Sequence, residues 1–122
     1  MENYVTYEQA VKLKELGFNW KTFAFYLGNK LNTEIPSWQI TNTTDLSIIS
    51  APTLSQVQKW LLKEKKIYIE IYCTNYLNNF GYELKFDYDS NKRYCTQGFK
   101  HPDEALYRGI DDAIKYIEEN DT

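Results

Sequence analysis

Apolar residues return along this chain at two periods, one helical and one extended, and the two meet between Thr53 and Cys73. Leu54, Val57, Trp60 and Leu61 recur at the three-to-four spacing that predicts a helix with one buried face. Thr53 and Gln56 have the capping-box spacing that starts such a helix, and Pro52 favours a non-helical entry into it. Gln56, Gln58, Lys59, Lys63 and Glu64 fall mostly outside the stripe, so the opposite face is wet. Ile67, Ile69, Ile71 and Cys73 then alternate with Tyr68, Glu70 and Tyr72, the period of a half-buried strand.

The same periods recur on either side. Thr6 and Gln9 repeat the capping-box spacing, Tyr7, Ala10, Val11 and Leu13 give a broad apolar face up to Leu16, and Gly17 suits a left-handed cap. Trp20 to Leu27 is rich in aromatic residues and predicts a strand. Asn29 to Ser50 reads as a long surface excursion, with a short strand around Trp38 to Ile40. Thr74 to Gly81 is a loop by composition. Tyr82, Leu84, Phe86 and Tyr88 then alternate with Glu83, Lys85 and Asp87, and Asp89 to Lys92 turns the chain into a return strand from Arg93 to Gln97. That turn sets Tyr88 opposite Arg93, Phe86 opposite Cys95 and Asp87 opposite Tyr94. Pro102 suits the first position of a last helix, whose stripe of Leu106, Ile110, Ala113, Ile114 and Ile117 runs to about Glu119. The order α-β-α-β-β-β-α predicts an α+β fold: a small antiparallel sheet of three to four strands with about three helices packed on one face.

Length and charge narrow this picture. A chain of 122 residues suits a single domain spanning positions 1–122, burying about two-thirds of its unfolded surface. The net charge of −3 argues against a dedicated phosphate-backbone binder, which carries a positive excess. Acid gathers at the C-terminal end in Asp103, Glu104, Asp111, Asp112, Glu118, Glu119 and Asp121, as on a solvated helix face. Lys63, Lys65 and Lys66 gather at the end of the second helix, where positive charge suits the dipole, although such a cluster also has the charge to hold phosphate. Cys73 and Cys95 make neither a zinc quartet nor a disulfide framework, and two strand spacings, roughly 10 Å, would keep them as reduced thiols. The first residues carry no basic segment followed by an apolar run, and no apolar stretch reaches bilayer length, so a cytoplasmic protein without a membrane partner is expected.

Candidate chemistry is sparse. His101 is the sole histidine, and before Pro102 it suits a capping or solvent role. The glycines form neither a phosphate loop nor a dinucleotide fingerprint. Glu70, Glu83 and Asp87 resemble an acid–base set only in number; with Lys85 in register they read as cross-strand ion pairs. No catalytic, cofactor-binding or metal-binding residue is therefore expected. Aromatic residues, at 16% of the chain, are the surplus to explain. Tyr68, Tyr72 and Tyr94 fall on the face opposite the isoleucines, with Tyr76 and Phe80 near its end. Together with Glu70 and Lys85 they mark a candidate protein-binding face: Tyr68, Glu70, Tyr72, Tyr76, Lys85 and Tyr94. Such a face also suits base stacking, or packing beneath the 29–50 segment.

Several stretches taken together resemble a known group. Tyr7-Glu8-Gln9-Ala10, Leu13 to Phe18, Ser50-Ala51-Pro52-Thr53 with Val57 and Trp60-Leu61, Ile67 and Ile69, and Glu104-Ala105-Leu106 with Ala113-Ile114 look like small uncharacterised proteins of bacteriophages and prophage regions in Bacteroidota genomes. The resemblance spans most of the chain and is most specific from Ala51-Pro52-Thr53 to Trp60-Leu61. Members often carry histidines just before and within the strand after the second helix, where this sequence has Lys65 and Tyr68, so no histidine-dependent role carries over. The resemblance implies a phage-like origin, hence a host-cell cytoplasm, and no mechanism.

Two functions follow as expectations. One is a non-enzymatic accessory protein that binds a protein partner, or itself, through the aromatic sheet face. The other starts from the last five elements, whose order is that of the double-stranded RNA-binding domain, and would place Lys59, Lys63, Lys65, Lys66, Arg93 and Lys100 on phosphates. That family's basic motif is missing at the start of the last helix, where Asp103 and Glu104 stand.

Overall fold

A computed structural model describes residues 3–33, 48–74, 79–86 and 93–120, with 93–97 as backbone alone. The expected strand at Trp38 to Ile40 lies outside them, as do Tyr76 and Asp87. The fold is α+β, and the described residues form three helices and two antiparallel three-stranded sheets. Contacts divide it into two compact units, residues 1–53 and 54–122.

The first unit begins with helix α1, Tyr7–Glu15. The capping box forms as its spacing predicts: Gln9 N–H donates to Thr6 Oγ1 at 3.1 Å, and Thr6 N–H to Gln9 Oε1 at 3.1 Å. At the other end Gly17 adopts φ 94°. Phe18 N–H reaches Leu13 O at 2.9 Å and Gly17 N–H reaches Lys14 O at 3.1 Å, the paired bonds of a Schellman cap. Strands β1 (Phe25–Leu27), β2 (Lys30–Asn32) and β3 (Ile48–Ser50) form the first sheet in the order β2-β1-β3. Segments read as one surface excursion thus supply two strands. The overlooked signal was Gly28-Asn29: Leu27 pairs with Lys30 and Gly28 has φ 62°, as a two-residue hairpin with glycine at its first central position requires. Val5, Ala10, Leu13, Phe18, Ala24, Tyr26 and Ala51 form the core of this unit. The Tyr26 hydroxyl, buried among them, donates to Val5 O at 2.7 Å, as a buried phenol must.

The second unit has the element order read from the sequence. Helix α2, Leu54–Trp60, buries Leu54, Val57 and Trp60. It widens into a π-helical turn over Leu61–Lys65, closed by Lys66 N–H on Leu61 O. Strands β4 (Ile67–Cys73), β5 (Phe80–Phe86) and β6 (Arg93–Phe99) follow in that spatial order. Helix α3, Pro102–Asn120, completes the unit. Ile67 pairs with Phe86, Ile69 with Leu84 and Ile71 with Tyr82. This is the isoleucine face anticipated from the alternation, and α2 and α3 pack on it. Gln58 Nε2 donates to Ile69 O at 2.5 Å, a side-chain partner for edge strand β4. The Tyr82 ring is fully buried and its hydroxyl donates to the Asp112 carboxylate of α3. The Phe86 and Tyr116 rings pack at 4.3 Å between centroids, tilted by 38°.

The β5–β6 register departs from the sequence reading. Arg93 pairs with Lys85 rather than Tyr88, and Tyr94 with Leu84 rather than Asp87. Phe80 and Gly81, read as loop, open β5 instead. A bulge accompanies the change: Phe80 pairs with Phe99 and Gly81 with Gln97, leaving Gly98 between them at φ 108°. Gly98 N–H is satisfied by Asn79 Oδ1 at 2.8 Å. A bulge takes one extra residue on one strand, and here it shifts only the Phe80–Phe99 end; the three-residue displacement at Arg93 and Tyr94 lies on the other side of it. Cys73, expected on the isoleucine face, is exposed at the end of β4, and Cys95 sits on β6 with β5 between them.

Candidate interaction surface

The face of the second sheet opposite α2 and α3 is built by the residues that alternate with the isoleucines. Tyr68 pairs with Lys85, Glu70 with Glu83 and Tyr72 with Gly81. Tyr68 is 39% exposed. Glu70 and Tyr72 are half-buried. Lys85 Nζ reaches Glu70 Oε2 at 2.8 Å, with both side chains about two-fifths exposed. Glu70 stands directly opposite Glu83, a like-charged pair that repels across the strands, and Lys85 on the diagonal offsets one of the two charges. At that exposure the ion pair contributes about 0–1 kcal/mol and chiefly orders the surface.

Of the six residues marked from the sequence, β4 and β5 bring Tyr68, Glu70, Tyr72 and Lys85 together. Tyr94 occupies the β6 position opposite Leu84. The register thus pairs Tyr94 with a core residue and not with Asp87. Tyr76 lies outside the described residues.

Where the strands meet the π-helical turn, this face runs into an open groove of about 590 Å³ lined by Leu62, Lys63, Lys66, Tyr68, Lys85 and Phe86. Leu62 is 48% exposed beside it. The groove lies where the helix widens in its last turn and Lys66 follows in a left-handed conformation, φ 59° and ψ 36°. The helix-end lysines separate into two roles. Lys65 Nζ stands 5.7 Å from the Trp60 ring centroid, a cation–π distance, while Lys63 and Lys66 line the groove. Periodicity pointed to the tyrosines but not to Leu62, because a π turn breaks the spacing that would have assigned it a face.

A second exposed apolar set lies in the first unit. Phe23, Leu27 and Leu31 are 59%, 56% and 36% exposed, and a groove lined by Leu27, Lys30, Leu31, Asn32 and Thr33 opens on the β1–β2 hairpin. The aromatic run from Trp20 suggested a strand without showing which residues would face outward.

Among the described residues no cluster of three or more histidine, cysteine or carboxylate side chains has metal-binding geometry. Among them, too, no helix is long and apolar enough to cross a membrane. Comparison with protein families, curated proteins and solved structures finds no match.

Proposed function

We propose that the chain is a non-enzymatic, cytoplasmic interaction module that binds a protein through the outer face of its second sheet. The observation that carries this reading is the exposed Tyr68 beside the ordered Lys85–Glu70 pair, continuous with the Leu62 groove. Rigid aromatic rings bring large contact area at low entropic cost, and a fixed ion pair supplies directional contacts at the rim. The resemblance to small phage and prophage proteins supports an accessory role of phage-like origin. The test compares wild type with a Tyr68→Ala/Tyr72→Ala variant in affinity capture from host lysate and in light scattering. A nearly unchanged thermal midpoint with loss of the captured partner, or of self-association, is the expected result. Undiminished capture by the variant refutes the reading.

A second reading has one observation in its favour. Residues 54–122 form a compact unit with the order α-β-β-β-α and both helices on one side of the sheet, as in the double-stranded RNA-binding domain. Asp103 and Glu104 open α3, placing negative charge where that domain meets phosphate. An electrophoretic shift assay at low salt separates the readings, since phosphate binding weakens steeply as salt rises.

A further inference from the structure

The groove beside Tyr68 has a chemistry of its own. Its lining combines three lysines, Lys63, Lys66 and Lys85, with the apolar or aromatic side chains of Leu62, Tyr68 and Phe86. Lys85 is matched by Glu70. Lys63 and Lys66 pair with no acidic side chain among the described residues, although the chain as a whole carries a net charge of −3. Local positive charge around an apolar slot, on an otherwise acidic protein, selects a ligand that is both acidic and apolar.

Lys66 adds an independent observation. It is the only residue other than glycine with positive φ among the described residues, at the position after a helix that glycine fills most easily. A left-handed lysine is costly to the fold, and such conformations cluster at functional sites. Here the strained residue is one of those lining the groove.

Resting on the protein-interaction reading above, we infer that this groove takes an acidic peptide segment of a partner protein, with one leucine or aromatic side chain between Leu62 and Tyr68 and flanking carboxylates on Lys63 and Lys66. The volume, about 590 Å³, lies within the usual range of ligand sites, about 300–1,000 Å³. Nucleic acid fits less well. Phosphate backbones require a broad positive field, whereas the positive charge here is confined to one end of a sheet whose face also carries Glu70 and Glu83.

The test pans a random dodecapeptide display library on the full chain, on Lys63→Glu/Lys66→Glu and on Tyr68→Ala/Tyr72→Ala, each checked for folding by circular dichroism. Wild type should enrich peptides with Asp and Glu flanking Leu, Phe or Trp, and charge reversal should lower their recovery about tenfold. A pool without acidic excess that is still lost on the tyrosine variant overturns the acidic-segment inference and leaves the sheet-face reading standing. A pool retained equally on both variants removes both. A short RNA duplex bound by wild type and released by charge reversal assigns the lysines to phosphate, and a dimer dissociated by charge reversal assigns the groove to a second copy; either overturns the inference. Lys66→Gly should melt higher and recover less of the pool. Higher melting with undiminished recovery shows that the Lys66 side chain is not used and also overturns it.

Discussion

Gly109 lies where α3 packs tightly on the second sheet, and replacing it with alanine sets two effects of known size against each other. An alanine Cβ there would stand 2.9 Å from Ile69 Cγ2 and 3.3 Å from Tyr82 Cγ and Cδ2. Neither neighbour yields easily. The Ile69 methyl hangs from a β-branched carbon with little χ1 freedom, and the Tyr82 ring is fully buried with its hydroxyl bonded to Asp112. The helix must therefore lift, at the usual overpacking cost of about 1–3 kcal/mol. Against this, alanine gains about 0.8–1.0 kcal/mol over glycine in a helix interior. The net expectation is a destabilisation of about 1 kcal/mol, within a range of about 0–2. Guanidinium denaturation followed by circular dichroism should show a lower midpoint with an unchanged slope. In an Ile69→Ala background, which removes the obstructing methyl, the penalty should shrink by about 0.5 kcal/mol or more. A Gly109→Ala protein more stable than wild type by the full helix gain would refute the close approach, and with it the packing of α3 on the isoleucine face.

Three further expectations follow from single contacts. Tyr82→Phe leaves the Asp112 carboxylate without its buried donor and should cost about 1.5–3 kcal/mol by urea denaturation, the usual value for a hydrogen bond to a charged group. Lys66→Gly removes the left-handed strain and should stabilise the protein by about 1 kcal/mol, read as a higher midpoint in the same assay. Partial burial, and then Asp103, raises the Tyr107 hydroxyl above its ordinary ionisation range; the unfolded chain thus loses that proton first, and stability falls as pH rises past about 10. Tyr107→Phe should flatten that alkaline limb in pH-dependent thermal melts.

Much of the fold was legible because local signals agreed with the global arrangement. Thr6 with Gln9, Gly17, Pro102 and the alternating isoleucines each carry a physical instruction that needs no distant partner, and each appears where its chemistry places it. The departures all involve residues whose role depends on a partner strand. Lys30 to Asn32 and Ile48 to Ser50 are too short to show a period, and only pairing with β1 makes them strands. The β5–β6 register lies three residues from the one the turn implied, which sets Leu84 rather than Asp87 opposite Tyr94, and the bulge at Gly98 displaces the Phe80–Phe99 end as well. The candidate surface was legible in the same uneven way. Tyr68, Glu70, Tyr72 and Lys85 follow from alternation, and the Lys85–Glu70 pair from register. Leu62 and the groove depend on the π turn and the left-handed Lys66, and neither has a periodic signature.

The most direct measurement is a hydrogen-exchange footprint on the full chain, with and without a captured partner or a selected peptide. Binding through the outer sheet face should slow exchange from Leu61 to Cys73 and from Phe80 to Phe86, leaving the β1–β2 hairpin unchanged. Protection confined to Phe23 through Asn32, around the exposed Phe23, Leu27 and Leu31, would place the binding surface on the first unit and contradict it.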